Sequence, residues 1–200
     1  MSIFTYDEQL RVLESIPARD RAIFAFAMEF GLRIGEVRAL KKDAIEEGHL
    51  IVRRSLSEWE LRETTKTKRI RRLPLTTRAR EILKNAPLSF SEYVFTLDGR
   101  RPYYERKMRE IWKDACAKVG ITIHQKNAIR HSLGCQLLDD GVDLEMVRDI
   151  YGHTSTDMTR KYVKRTPKRM LEALESRGKI ISFTEHLPSD VRLSNCIRST

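Results

Sequence analysis

An α+β fold, mainly α-helical, with a small antiparallel sheet packed on a helical bundle, is predicted by three features of the sequence. Most of the chain carries apolar residues at helical spacing, and glycines close several of those segments. Two short, partly β-branched runs, His49 to Val52 and Ile70 to Leu75, break that pattern with alternating charges. Between them Ser55 to Arg69 is polar and basic, as the connection of a long hairpin would be. At 200 residues the chain fits one domain with a single substantial core, plus a tail.

The helices follow in order from their caps and stops. Thr5-Tyr6-Asp7-Glu8 forms a capping box ahead of Leu10, Leu13 and Ile16, so a first helix starts there and stops before Pro17. A strongly apolar second helix runs from Ala18 to Phe30 and ends at Gly31. A short one covers Ile34 to Leu40, which leaves Arg33 at the junction of two helices. Helical spacing resumes over Thr77 to Asn85, Tyr103 to Val119, Gln125 to Asp140, Asp143 to Tyr151 and Ser155 to Lys164, punctuated by Gly120, Gly141 and Gly152. Past Gly178 the helical period is lost, so residues 179–200 read as a tail that a partner would order.

Lys and Arg exceed Asp and Glu by 38 − 28 = 10. Such a surface prefers polyanions, and nucleic acid is the first candidate. No run of about 18 apolar residues is present to span a bilayer, and MSIFTYDEQL lacks the basic-then-apolar order of a secretory signal. A cytoplasmic protein without membrane contact is expected. Cys116, Cys135 and Cys196 lie far apart, without the paired spacing of a zinc site, so they read as reduced thiols. No metal or other cofactor is expected.

Five places stand out chemically. Arg33 in GLRIGEV has Glu36 three residues on, close enough to orient or partly neutralise it, although such a pair alone is an ordinary ion pair. From Lys66 to Arg72 five of seven residues are basic, and Lys68, Arg69, Arg71 and Arg72 would make an electrostatic rail along a phosphate backbone. A solvated strand edge is the plainer reading of the same run. Arg130 and His131 follow Asn127 at i+3 and i+4, so the three share a helical face. His153 comes directly after Gly152, and Tyr162 lies nine residues further on. Each signal is weak singly.

Together, Arg33-x-x-Glu36, Lys66 eight residues before Pro74, Arg130-His131-Ser132, Gly152-His153 and Tyr162 resemble the catalytic domain of the tyrosine recombinases, the phage integrase family. The resemblance runs from about Thr5 to Arg177. It implies an integrase-type catalytic domain with a three-stranded antiparallel sheet, spanning 1–178. It also implies a site-specific recombinase of a phage or mobile element, which integrates or recombines double-stranded DNA through a 3′-phosphotyrosyl link. Tyr162 matches the nucleophile, Arg33 and Arg130 the phosphate clamp, Lys66 the general acid, and His153 a further phosphate donor. Guanidinium groups stay charged and bind phosphate oxygens in two-pronged fashion, so no metal is required. His131 matches a second family histidine and reads as supporting, as does Glu36.

Asn127 departs from the family pattern, which usually has histidine at that place. An amide can donate to a phosphate oxygen or hold Tyr162, but it cannot accept a proton near neutral pH. His124 and His131 are geometric substitutes; water or the phosphate itself is the other acceptor. The family's N-terminal core-binding domain is not found in this sequence, which predicts weakened affinity and specificity. The tail matches segments that contact neighbouring protomers in a tetrameric synapse, with Ile180, Ile181 and Phe183 as apolar anchors and docking in cis as the alternative. Two other functions compete: a DNA-binding remnant or regulator without turnover, favoured by Asn127, and a type IB topoisomerase. The compact size and the hairpin favour the recombinase.

Overall fold

A computed structural model describes residues 4–58, 60–63, 69–123 and 125–160, with the backbone alone at 125–127. The chain divides into two compact units, Met1–Val163 and Lys164–Thr200, and every described residue lies in the first. Among the expected features, the tail, its three anchors, Cys196 and the end of the helix begun near Ser155 lie outside the described residues.

Eight α-helices are described: α1 (Tyr6–Ser15), α2 (Ala18–Phe30), α3 (Ile34–Arg38), α4 (Thr77–Lys84), α5 (Glu105–Lys118), α6 (Gln125–Asp139), α7 (Leu144–Tyr151) and α8 (Asp157–Arg160). Their starts follow local chemistry. Thr5 and Glu8 close the capping box reciprocally, with the Thr5 backbone N–H donating to Glu8 Oε2 at 2.8 Å and the Glu8 N–H to Thr5 Oγ1 at 3.2 Å. Asp143 caps α7 by accepting from the N–H groups of Glu145 and Met146, both at 2.8 Å. α5 begins two residues later than its spacing predicts, because Tyr103 is pulled into the core, where its hydroxyl donates to Asp20 at 2.7 Å.

The sheet is antiparallel and three-stranded, in the order β1 (Ile45–Glu46), β2 (His49–Val52), β5 (Arg71–Pro74). Its two-residue first strand is too short to leave a sequence pattern. The stretch from Ser55 to Arg69 differs from the expected plain connection, because β3 (Ser55–Ser57) and β4 (Glu60–Arg62) pair within it as a second, separate ladder. Buried Leu56 and the wholly buried Arg38 explain this: the Arg38 guanidinium donates to the carbonyls of Leu56 at 3.3 Å and Glu58 at 2.8 Å, which ties that hairpin to α3.

The core lies between α1, α2, α5 and the sheet. Trp112 is its centre, edge-on to Phe4 at 5.6 Å and stacked on Phe24 at 6.0 Å, with its indole N–H donating to the Ile123 carbonyl at 3.0 Å. A smaller cluster of Cys135, Leu138, Val147 and Tyr151 joins α6 to α7. Cys116 and Cys135 are buried. Among the described residues no helix is long and apolar enough to cross a membrane.

Candidate active site

The site is assembled where two helices end. α2 stops at Gly31 in the left-handed conformation (φ 58°), and buried Leu32 then delivers Arg33 to the position that caps α3. There the Arg33 backbone N–H donates to Glu36 Oε2 at 2.9 Å and its Nη1 to Glu36 Oε1 at 3.0 Å. Glu36 is buried, while the Arg33 side chain keeps 30% of its surface in solvent, so one edge of this guanidinium remains available.

Strand β5 supplies a second arginine to the same carboxylate. Arg71 Nη2 lies 2.6 Å from Glu36 Oε2, an ion pair without hydrogen-bond alignment, while its Nη1 donates to the Ile150 carbonyl at 3.1 Å. Of the four residues expected to form the rail, Arg71 is buried. Residues alternate across a strand, so Arg71 faces inward with Leu73, and Arg72 faces out and pairs with Glu47 at 3.3 Å. Arg69 Nη1 donates to the His153 carbonyl at 3.2 Å. Lys66 and Lys68 lie outside the described residues.

Arg130, on α6, is the third arginine. Its Nη1 donates to the Gly31 carbonyl at 2.9 Å and its Nη2 to the Tyr151 carbonyl, while its Cζ lies 4.0 Å from the Tyr151 ring centre. The Tyr151 hydroxyl donates back to the Arg130 carbonyl. Both carbonyls taken by Arg130 belong to helix ends, where unsatisfied C=O groups carry the negative end of the dipole. Burial, then Arg33 and Arg71, push its pKa down to about 10 against the pull of Glu36 and Tyr151, which still leaves it charged at neutral pH.

For Glu36, burial raises the pKa, but Arg71, Arg130 and Arg33 together with the Arg33 N–H outweigh it and hold the carboxyl below its ordinary range. It is therefore ionised. Three guanidinium groups around this one carboxylate leave 3 − 1 = 2 positive charges in the cluster. A positive, largely buried site of this kind suits an oxyanion.

The turn after α7 brings in the histidine. Gly152 is left-handed (φ 60°), and buried His153 follows with Nδ1 2.8 Å from the Thr159 hydroxyl and its ring edge-on to Tyr151 at 5.4 Å. Thr159 sits on α8, three residues before Tyr162 in the sequence. Tyr162, His124 and the Asn127 side chain lie outside the described residues, and His131 is half-buried on α6.

Thus Arg33, Glu36, Arg130 and His153 are drawn to one locality by Tyr151 and Arg71. Sequence reasoning missed Tyr151, Thr159 and the inward role of Arg71. Strand alternation in RRLPL carried the signal for Arg71, since it shares a face with Leu73. Tyr151 and Thr159 carried none, being an apolar helix position and an ordinary threonine.

The model of the phage integrase family matches residues 2–169. The chain belongs to the phage integrase family. Among its relatives, the tyrosine recombinase XerA of Thermococcus kodakarensis is 29% identical over 187 residues, which are 88% of this chain and 62% of the relative. XerA of Pyrococcus furiosus is 30% identical over 181 residues, 86% of this chain and 60% of the relative. The chain thus spans less than two thirds of the length of these recombinases. Two solved structures share the fold: the Tn1549 transposon integrase in complex with a circular intermediate DNA, at TM-score 0.75 and 16% identity, and XerA recombinase, at 0.69 and 20%. Each aligns over 88% of this chain and 65% of the other. The helical bundle with its three-stranded sheet is therefore the expected recombinase catalytic fold.

Proposed function

We propose that this chain cuts and rejoins double-stranded DNA as the catalytic unit of a site-specific recombinase. The observation that carries the reading is the cluster of Arg33, Arg71 and Arg130 around Glu36, with Arg71 packed under the Gly152 turn that leads into His153. In the proposed step the Tyr162 hydroxyl attacks a backbone phosphorus; a bond forms between its oxygen and phosphorus, and the bond to the 5′-oxygen breaks. Lys66 gives its proton to the departing oxygen, and a later 5′-hydroxyl reverses the exchange. A phenol with an ordinary pKa of about 10 must lose its proton during attack. With Asn127 in place of a base, water or the phosphate takes that proton. Negative charge gathering on the non-bridging oxygens meets the free edge of Arg33, the fixed charge of Arg130 and a ring N–H of His153.

Recombinases are the relatives, and the Tn1549 integrase and a lambda integrase dimer are known as DNA complexes, which supports DNA as the partner. We further assign residues 1–178 to the catalytic unit and 179–200 to a tail that touches a neighbouring protomer, in a homotetramer assembled on DNA in the cytoplasm. Lys68, Arg69 and Arg72 are the proposed rail along the backbone.

The test is incubation with nicked duplexes of randomised sequence, followed by a denaturing gel. A covalent protein–DNA adduct is expected, and its loss in Tyr162→Phe. An adduct that persists in that variant overturns the nucleophile; duplex binding without any adduct favours a DNA-binding remnant, the reading that Asn127 supports.

A further inference from the structure

Arg71 touches three elements at once. It stands opposite Val52 in the ladder between β2 and β5, with its side chain on the covered face. One nitrogen is ion-paired with Glu36 on α3 at 2.6 Å, and the other takes the Ile150 carbonyl near the end of α7 at 3.1 Å. Its stem runs beneath Gly152, where an added Cβ would meet Cδ at 2.8 Å and Cγ at 3.1 Å. The turn that leads to His153 is therefore shaped around this side chain.

From these contacts we infer that Arg71 is a positioning residue, which sets Glu36 and through it Arg33 against the turn that carries His153. The inference rests on the DNA-cleavage reading above. Glu36 Oε1 receives the Arg33 guanidinium, while Oε2 faces Arg71 and the Arg33 N–H. With Arg71 gone, that oxygen keeps only the Arg33 N–H, so the carboxylate, and with it the Arg33 guanidinium, loses its fixed point on β5 and shifts relative to the His153 turn. The two side chains are 4% and 1% exposed, so no solvent stands ready to replace the contact. The same side chain spans from β5 to α7, so the strand that follows the Lys66 segment and the turn before His153 keep a common frame. Arg71 makes no DNA contact in this scheme, unlike its exposed neighbour Arg72.

The experiment measures single-turnover adduct formation on nicked duplex under saturating protein, with duplex affinity and thermal unfolding recorded in parallel. Arg71→Met is expected to slow cleavage of bound DNA by about 100-fold, the loss that misplacement by about an ångström brings, with the salt dependence of binding unchanged. Arg71→Lys should fall between, because an ammonium keeps the charge but cannot hold Glu36 and the Ile150 carbonyl together. Where Arg71→Met alone unfolds, Arg71→Met with Glu36→Gln removes both members of the buried ion pair, so that no carboxylate is left without its partner, and the role is read in that background. In the Glu36→Gln background, adding Arg71→Met should cost less than about tenfold more, since both act through one contact. Arg71 variants that cleave bound DNA at the wild-type rate, losses that track only the folded fraction, or losses that multiply in the double variant overturn the role. A wild-type chain that forms no adduct overturns the DNA-cleavage reading, and the role with it.

Discussion

The Nδ1 atom of His153 lies 2.8 Å from the hydroxyl of wholly buried Thr159, which couples the histidine turn to α8, three residues before Tyr162 in the sequence. Imidazole tautomer and ring angle follow the partner of one nitrogen, so the other is presented in a set direction. Thr159→Val keeps the shape and removes the hydroxyl. Adduct formation should slow by roughly five- to tenfold, the equivalent of about 1 to 1.4 kcal/mol, and Thr159→Ser should restore it. An unchanged pH profile and unchanged imidazole NMR shifts in Thr159→Val would show that the hydroxyl does not orient the ring.

Glu36 gives the site an acid-sensitive linchpin. Its folded pKa lies below the ordinary 4.5, so its stabilising contribution is complete above that value and is lost as the pH falls through the folded pKa. Glu36→Gln leaves three arginines without their counter-charge and should destabilise the fold by about 3 to 5 kcal/mol at neutral pH. Unfolding curves recorded from pH 7 downward should begin to approach each other below pH 4.5 and meet as the pH falls through the folded pKa, the wild type losing the difference. Parallel curves would separate Glu36 from acid sensitivity.

Gly31 is close-packed as well as left-handed, for a Cβ there would stand 2.9 Å from Tyr151 Cε1, beneath the Arg130 guanidinium. Gly141 is left-handed too, yet a Cβ there meets nothing within 4 Å. Gly141→Ala should therefore cost only the backbone penalty, about 1 to 2 kcal/mol. Gly31→Ala should add an overpacking cost of about 1 to 3 kcal/mol and also slow cleavage, by displacing the Tyr151 ring. Denaturant titration of both variants checks this; equal losses would mean that Tyr151 yields freely.

Arg72 is exposed on the outer face of β5, where its pairing with Glu47 is of the weak surface kind. Arg72→Ala should leave thermal stability within about 0.5 kcal/mol of wild type. It should reduce the slope of log affinity against log salt by about 1, as loss of one phosphate contact does. Binding isotherms at several salt concentrations read this directly, and an unchanged slope removes Arg72 from the DNA face.

Asn127→His returns an imidazole to the place where relatives of this family usually have one. Covalent-complex formation on nicked DNA should be kept or increased, with the gain largest above pH 6.5, where an ordinary imidazole is neutral and can accept a proton. A large loss would mean that the amide itself is needed, as a donor to phosphate or a holder of Tyr162.

The sequence by itself determined the helices, most of their ends and the family, because caps, left-handed glycines and helical spacing are local, and because the family's spaced residues stand in order along the chain. Arg33, Glu36, Arg130 and His153 were legible for that reason. The β3–β4 ladder was not, since its pairing depends on buried Arg38 reaching across from α3. Nor was the bond between Tyr103 and Asp20, 83 residues apart, that delays α5. Only the tertiary structure decided what each charge faces. Arg71 and Arg72 are neighbours of one residue type, yet the sheet turns one toward Glu36 and the other toward solvent. Such distinctions arise from which surface of a strand is covered and which carbonyls two helix ends leave open, and both are settled by elements distant in sequence.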